Sequence, residues 1–267
     1  MGIKNDDLGI RMKKYEYVTR THLTPRTPVI IRIDGKAFHT FTRGFRKPFD
    51  EVLMMTMEST MLYLCKNIQG CVLGYTQSDE ISLALVDYKK LTSNGWFDYN
   101  IQKCASIAAS MATLGFNRAF PHIVNCNSVD SKEWQDTVGI TYERAIDSGA
   151  LFDARCFNLP KEEVCNYFLW RQNDAIRNSV SMLAQANFSH KELQGKSSRE
   201  MKEMLVNQKG ISWDDLYPHD KKHGSCCVKV EDSIGGLSRS RWEIDEDIPI
   251  FKGEGRNYVD SRIFVGE

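Results

Sequence analysis

The sequence predicts an α+β fold with a β-α-β-β-α-β core, on the basis of three observations. The β-branched run 29–33 is typical of a buried strand. The apolar runs 72–75 and 81–86 flank a short polar turn, as the two arms of a hairpin do. Helical spacing of apolar residues occurs before and after this hairpin, and another strand follows. This order is the ferredoxin-like split arrangement, in which the first strand lies beside the hairpin strands.

The helices and the last core strand follow from local patterns. Apolar residues recur at helical spacing over 48–67, at Leu53, Met57, Leu64 and Ile68. A second helix is predicted over about 98–115, because its small apolar face suits close packing on a sheet. A polar connection over 125–147 then leads to a predicted strand over 151–157.

Two acidic turns lie at the ends of these predicted strands. Asp34 follows the first strand, and Asp79 lies with Glu80 in the hairpin turn. If the strands are neighbours, Asp34 and Asp79 meet at one edge of the sheet. Two carboxylates that meet repel each other unless cations lie between them, so the pair predicts a magnesium site. Either turn alone also fits a plain surface turn.

Together, the two carboxylates and the basic cluster between them favour phosphoryl or nucleotidyl transfer with two Mg²⁺ ions, roughly 3.5–4 Å apart. The β-α-β-β-α-β order is also that of nucleotide-polymerase palms and nucleotide cyclases. His39 and Phe38 follow the first acidic turn, where their rings either contact a base or ribose or pack beneath the turn. His219 and His223 have the spacing of a metal pair, but a predicted loop without a third ligand does not favour zinc.

Composition sets broad limits on function. With 42% hydrophobic and 26% charged residues, the chain is typical of a globular protein. No apolar run approaches the roughly 20 residues of a membrane span, so no membrane partner is expected. Lys+Arg and Asp+Glu both total 35, which neither indicates nor excludes a nucleic-acid partner. Eight cysteines without CxxC pairs or a secretory segment favour a cytoplasmic location.

The C-terminal part differs in character. Pro160 followed by two glutamates is typical of a helix start, and this helix is expected to reach about residue 187. Ser197 and Glu200 form a predicted capping box, and two late strands are expected within 224–230 and 241–244. We therefore divide the chain into a palm-like catalytic domain, 1–158, and a helical and β extension, 159–267, that packs on the palm.

Several motifs together resemble the tRNA(His) guanylyltransferase family. They occupy 32–39, 45–48, 74–80, 152–155 and 170–174, and the resemblance covers most of 10–230. Members of this family add nucleotides to RNA 5′ ends on a polymerase-like palm, so that the chain grows 3′→5′. The resemblance implies a Mg²⁺-dependent nucleotidyltransferase that binds GTP, ATP and other NTPs, acts on tRNA, and assembles as a homotetramer.

The resemblance also implies roles for individual residues. Asp34 and Asp79 would bind both Mg²⁺ ions, and the Gly35 carbonyl would complete one coordination shell. Glu80 joins the catalytic set as an acid that supports the site rather than as a third ligand. The nucleotide would contact Asp34, Gly35, Lys36, Ala37, Phe38, His39, Ser78 and Asp79, with Lys47 and Lys103 on phosphates.

Three residues of the predicted helix after Pro160 are candidate RNA contacts, namely Arg171, Arg177 and Asn178. Arg171 equally fits an ion pair with Asp174, three residues along the same helix. The family's eukaryotic enzymes carry His-Ile-Asn-Asn where this chain has Ile-Arg-Asn-Ser at 176–179. This departure resembles the bacterial and archaeal branch, which is associated with template-dependent 5′-end repair of tRNA.

The sequence thus favours 3′→5′ nucleotide addition to tRNA as templated repair. Three alternatives stay open. The first is a dedicated enzyme that adds G−1 to tRNA(His). The second is a palm-fold nucleotide cyclase, which shares the predicted metal geometry. The third is a non-catalytic RNA-binding module, although the two mutually repelling carboxylates argue against a degenerate site.

Overall fold

A six-stranded antiparallel sheet forms the centre of the protein. The computed structural model describes residues 7–127, 139–234 and 237–266. The strands are β1 Val29–Gly35, β2 Cys71–Gln77, β3 Glu80–Leu85, β4 Phe152–Asn158, β5 Ser225–Ile234 and β6 Leu237–Asp245. Their order across the sheet is β4-β1-β3-β2-β5-β6. The chain therefore has a mixed α and β fold, as predicted, with β1 beside the β2–β3 hairpin.

Helices surround this sheet in the part of the chain that the structure describes. Those before and beside the first four strands are α1 Asp7–Val18, α2 Phe38–Phe41, α3 Glu51–Asn67, α4 Ile101–Asn127, α5 Gly139–Ser148 and α6 Lys161–Asn187. Those that follow are α7 His190–Leu193, α8 Ser198–Met204, α9 Trp213–Leu216, α10 His219–His223 and α11 Asn257–Ile263. None of the described helices is both long enough and apolar enough to cross a membrane.

The sheet is buried on both faces. Helices α3 and α4 cover one face, where Ile31, Ile33 and Leu83 join their apolar side chains in the larger core cluster. The first half of α6 and α11 cover the other face, around Ile30 and Tyr75. The second half of α6 leaves the sheet and builds a third cluster with the segment that contains α7 to α9.

Helix α4 is longer than the sequence predicted. It was expected to end near Gly115, but it continues to Asn127. The reason is an apolar stripe that recurs at every fourth position and stays buried throughout, at Cys104, Ala108, Ala112, Phe116, Phe120 and Val124. The predicted polar connection after it is also partly wrong, because α5 occupies 139–148 and buries Tyr142 and Ala145. Residues 128–138 of that connection lie outside the described residues.

The C-terminal part extends the same sheet. Strand β5 pairs with β2, with Tyr75 opposite Cys226, and β6 pairs with β5. The capping box of α8 forms as predicted: Glu200 accepts from the backbone of Ser197, and its own N–H reaches the Ser197 hydroxyl. The segment 219–223, expected as a loop, is the short helix α10, and its last carbonyl accepts the Tyr75 hydroxyl at 2.8 Å.

Candidate active site

The two acidic turns lie side by side at one edge of the sheet. Strands β1 and β3 are antiparallel, and Asp34 lies opposite Glu80 at the end of their ladder. The backbone N–H of Gly35 donates to the carbonyl of Asp79 at 3.1 Å, which ties the end of β1 to the hairpin turn. The register therefore brings Asp34 and Asp79 to the same place, as the sequence indicated.

Both carboxylates line an open cleft of about 720 Å³. The Asp34 side chain is one-third exposed, and Asp79 is likewise only partly buried. Burial raises the pKa of Asp79, and the negative charge on Asp34 raises it further. The Ser78 hydroxyl, which donates to Asp79 at 3.1 Å, acts in the opposite direction. The two acidic turns therefore bring together negative charge that a bound cation would relieve.

The donors at this edge fit magnesium. They are the carboxylates of Asp34 and Asp79 with the nearby backbone of Gly35, so all are hard oxygen ligands of the kind that Mg²⁺ prefers. Among the described residues, no group of three His, Cys, Asp or Glu side chains is placed to hold a metal ion. Two protein carboxylates suffice for Mg²⁺ in enzymes that bind nucleotides, since waters and substrate phosphates fill the other positions.

Glu80 lies opposite Asp34 in the ladder but does not line the cleft. Its carboxylate accepts from Arg32 Nε at 2.8 Å and from Arg171 Nη1 at 2.9 Å, and its side chain is only 5% exposed. Burial raises the pKa of the Glu80 carboxyl, and the two guanidinium groups oppose that rise. Glu80 is thus engaged in buried ion pairs and is not oriented as a third metal ligand.

Close packing beneath the first acidic turn explains its glycine. A Cβ on Gly35 would lie 2.2 Å from the Phe38 ring, so only glycine allows that ring to pack against the turn. Phe38 contacts Phe41, Phe116 and Phe152 at centroid distances of 5.1 to 5.7 Å and is 5% exposed. The Phe38 ring therefore packs beneath the turn, the alternative that the sequence left open, although Phe38 is also among the residues that line the cleft.

Positive backbone φ angles shape both turns. Ala37 has φ 54° and precedes the short helix α2, and Ser78 has φ 53° at the tip of the hairpin. Such angles are uncommon for residues other than glycine. Both residues line the cleft, together with the exposed His39. Lys36 is exposed next to them, and its N–H donates to the carbonyl of Leu151 at 2.8 Å.

The two predicted phosphate lysines lie apart. Lys47 lines the cleft beside Pro48, at the start of α3. Lys103 does not, and the direction of α4 explains why. Phe116 of that helix packs on Phe38 beneath the cleft, and Lys103 lies thirteen residues earlier, roughly 20 Å along the helix axis. Lys103 instead lines a separate depression with Arg20 and Asp153.

The candidate RNA contacts on α6 differ in exposure. Arg171 is 4% exposed and is held by Glu80 and, at 3.3 Å, by Asp174, so its predicted RNA contact is wrong in this fold. The alternative ion pair with Asp174 is the one present. Arg177 is more than half exposed and also pairs with Asp174. Asn178 is exposed beside a small cavity that adjoins the cleft at Ser78.

Three residues near the site were not predicted from the sequence. Met182 and Gln185 of α6 line the cleft opposite the acidic turns. Nothing local in the sequence marks them, because they depend on how α6 crosses the sheet. Arg32 lies within the motif at 32–39, and a charged residue inside a buried strand is a signal in itself. Its Nη2 lies 2.6 Å from Glu80 and 3.8 Å from Asp34.

Comparisons with known proteins point to one family. A family model described as tRNAHis guanylyltransferase matches residues 9–160, more than half of the chain. A bacterial tRNA(His) guanylyltransferase-like protein in complex with ATP is 42% identical, with a TM-score of 0.82, over 97% of this chain and 100% of that one. The corresponding structure with GTP gives 40% identity and a TM-score of 0.79 at the same coverage. A probable tRNA(His) guanylyltransferase of Dictyostelium discoideum is 28% identical over 233 residues, 81% of this chain and 82% of the relative.

Proposed function

Because the chain belongs to the tRNA(His) guanylyltransferase family, whose members are nucleotidyltransferases, we propose that it adds nucleotides to the 5′ end of tRNA in the 3′→5′ direction. The observation that carries this proposal is the pair Asp34 and Asp79, which line one cleft at the end of adjacent strands. The neighbour structures with ATP and GTP support a nucleotide site of this kind.

The sheet order supports a polymerase-like palm. Strands β4-β1-β3-β2, with helices α3 and α4 on one face, follow the β-α-β-β-α-β path expected of a ferredoxin-like core. On this reading residues 1–158 are the catalytic palm and 159–267 are an extension packed on it. The pairing of β5 with β2 and the position of α6 against the sheet support a packed rather than independent extension.

The residues of the cleft have defined roles in the proposed reaction. Asp34, Asp79 and the Gly35 carbonyl would hold the two Mg²⁺ ions, whose chemistry here would be to lower the pKa of the attacking hydroxyl and to neutralise charge on the phosphoryl oxygens. Lys36, Ala37, His39 and Ser78 surround the nucleotide, and Lys47 contacts a phosphate. The 3′-hydroxyl oxygen of the NTP forms a bond to the 5′ phosphorus of the RNA, and the activating pyrophosphate or AMP leaves.

The substrate choice that we propose is templated 5′-end repair. Ile-Arg-Asn-Ser at 176–179 replaces the His-Ile-Asn-Asn of the eukaryotic enzymes, and the bacterial neighbour in complex with ATP is 42% identical to this chain. Base pairing would then select the nucleotide, and the protein would bind backbone and phosphates through residues such as Arg177. We further propose a cytoplasmic homotetramer.

The deciding experiment compares two truncated tRNAs that differ only in the base opposite the position to be filled. With C as the templating base, we expect addition of G; with A, we expect addition of U. Labelled products are mapped at their 5′ ends, with Asp34→Ala as the control without metal binding. Insertion of G opposite A would contradict templated repair and favour a dedicated guanylyltransferase. A cyclic nucleotide formed without RNA would favour the cyclase.

A further inference from the structure

A continuous ion-pair chain runs behind the acidic cleft. Arg32 Nη2 lies 2.6 Å from Glu80 Oε2 and 3.8 Å from Asp34 Oδ2, so one guanidinium nitrogen faces both carboxylates. On the far side of Glu80, Arg171 Nη1 approaches the same oxygen at 2.9 Å. Arg171 also faces Asp174 at 3.3 Å. These ion pairs therefore link strands β1 and β3 to helix α6.

Arg32 is the member whose position affects the cleft. Its side chain is 22% exposed, whereas Glu80 is 5% exposed between two guanidinium groups. A full positive charge in contact with Asp34 would compete with a metal cation for that carboxylate. The geometry keeps Arg32 closer to Glu80 than to Asp34 by about 1.2 Å, the difference between 3.8 and 2.6 Å.

We propose that Glu80 is a positioning residue that draws the Arg32 guanidinium into the closer ion pair, limits its pairing with Asp34, and so keeps Asp34 available to a divalent cation. Glu80 acts through Arg32 and does not bind the metal. Arg171 contacts Glu80 from the other side and does not line the cleft. This inference rests on the metal site of the proposed function and explains why Glu80, opposite Asp34 in the ladder, is engaged by Arg32 and Arg171 and does not line the cleft.

The test measures divalent-cation binding without turnover, by Mn²⁺ electron paramagnetic resonance and by calorimetry with Mg²⁺. Glu80→Gln should weaken Mn²⁺ binding by at least about tenfold, because charges in contact near a protein surface interact by more than the energy of a tenfold change. Arg32→Met in the same chain should restore binding to within about threefold of wild type, since no competing cation is left.

Two single variants keep the test decisive if Glu80→Gln folds poorly. Arg32→Met leaves Glu80 paired with Arg171, and we expect metal affinity equal to or tighter than wild type. Arg171→Met is the matched control: it removes the other guanidinium from Glu80, and we expect lower thermal stability with Mn²⁺ affinity within about threefold of wild type, because Arg32 stays on Glu80.

The outcomes separate this inference from the proposed function. If the double variant Glu80→Gln/Arg32→Met stays as weak as Glu80→Gln, Glu80 is itself a ligand and the inference is overturned. Weaker binding by Arg32→Met alone also overturns it. If the wild-type protein binds no Mn²⁺, the metal assignment of the proposed function fails first, and the inference fails with it.

Discussion

At the scale of single residues, Asp79 shows how a charged pair costs stability. Its carboxylate is partly buried and lies near Asp34, and both burial and this neighbouring charge raise its pKa. A carboxyl whose pKa is higher in the folded state than in the unfolded state lowers the free energy of unfolding at pH values where it is ionised. The same charge that destabilises the metal-free protein makes the site able to attract cations.

We therefore predict that Asp79→Asn raises the melting temperature at pH 7 without Mg²⁺ and abolishes nucleotide addition. The stability gain of the variant should shrink as the pH falls through the raised pKa towards the ordinary aspartate pKa. Below the ordinary pKa, wild-type Asp79 is protonated in both the folded and the unfolded protein, so its charge no longer affects stability. Thermal melts between pH 3.5 and 8, with and without Mg²⁺, check this prediction. Equal stabilisation of the wild type and the variant by Mg²⁺ would contradict the assignment of Asp79.

Gly35 gives a second prediction at this scale. Because an added Cβ would lie 2.2 Å from the Phe38 ring, Gly35→Ala should destabilise the protein by about 1–3 kcal/mol, as other overpacked sites do. It should also impair activity, since the clash lies directly beside Asp34. Adding Phe38→Leu should recover part of the stability, and urea unfolding of the two single variants and the double variant measures the coupling. Purely additive effects would show that the ring is not what Gly35 accommodates.

At the scale of elements, local signals were sufficient for the strands and the acidic turns. The run that ends at Asp34 and the hairpin that carries Asp79 are short, and their pairing brings the two carboxylates together once the strand order is known. Positions that depend on long-range packing were not accessible in this way. Arg171 contacts Glu80, which lies 91 positions earlier in the sequence. Lys103 lies away from the cleft because of the direction in which α4 runs. Exposure of a side chain on a helix follows from the neighbours of that helix, which a local pattern does not specify.

A prediction at this scale concerns the packing of helix α6. Its second half is held by the third apolar cluster, in which Leu183 is 1% exposed among Phe188, Leu205 and Trp213. Leu183→Ala should cost about 2–5 kcal/mol, as in other fully buried positions. Leu216→Ala in α9, where the leucine is exposed, is the matched control and should change stability by about 0.5 kcal/mol or less.

Urea unfolding and limited proteolysis distinguish these two variants. Because the cluster is separate from the sheet, we expect Leu183→Ala to be cleaved within 188–216 at lower protease concentrations than the wild type. Similar unfolding curves for the two leucine variants would indicate that this cluster contributes little to the stability of α6.

At the scale of the whole molecule, the boundary after residue 158 crosses a shared core rather than a linker. The second face of the sheet buries Ile30, Leu73 and Tyr75 against the C-terminal part. That part supplies Val164, Phe168, Phe251, Val259 and Ile263, each fully buried. The two parts are therefore coupled through one apolar layer, and strand β2 would become a sheet edge without β5.

This coupling leads to our last prediction, that a fragment of residues 1–158 will not fold by itself. Burying each large apolar side chain contributes about 1.5–3 kcal/mol, so the loss of five such partners is comparable to the whole stability of a typical protein, about 5–15 kcal/mol. The newly exposed edge of β2 would in addition favour aggregation. We expect poor dispersion in the proton–nitrogen NMR spectrum and no cooperative thermal transition, with the full chain as the control. A cooperative transition in the isolated fragment would instead mean that α3 and α4 stabilise the sheet from one face alone, and that residues 159–267 are a separate addition.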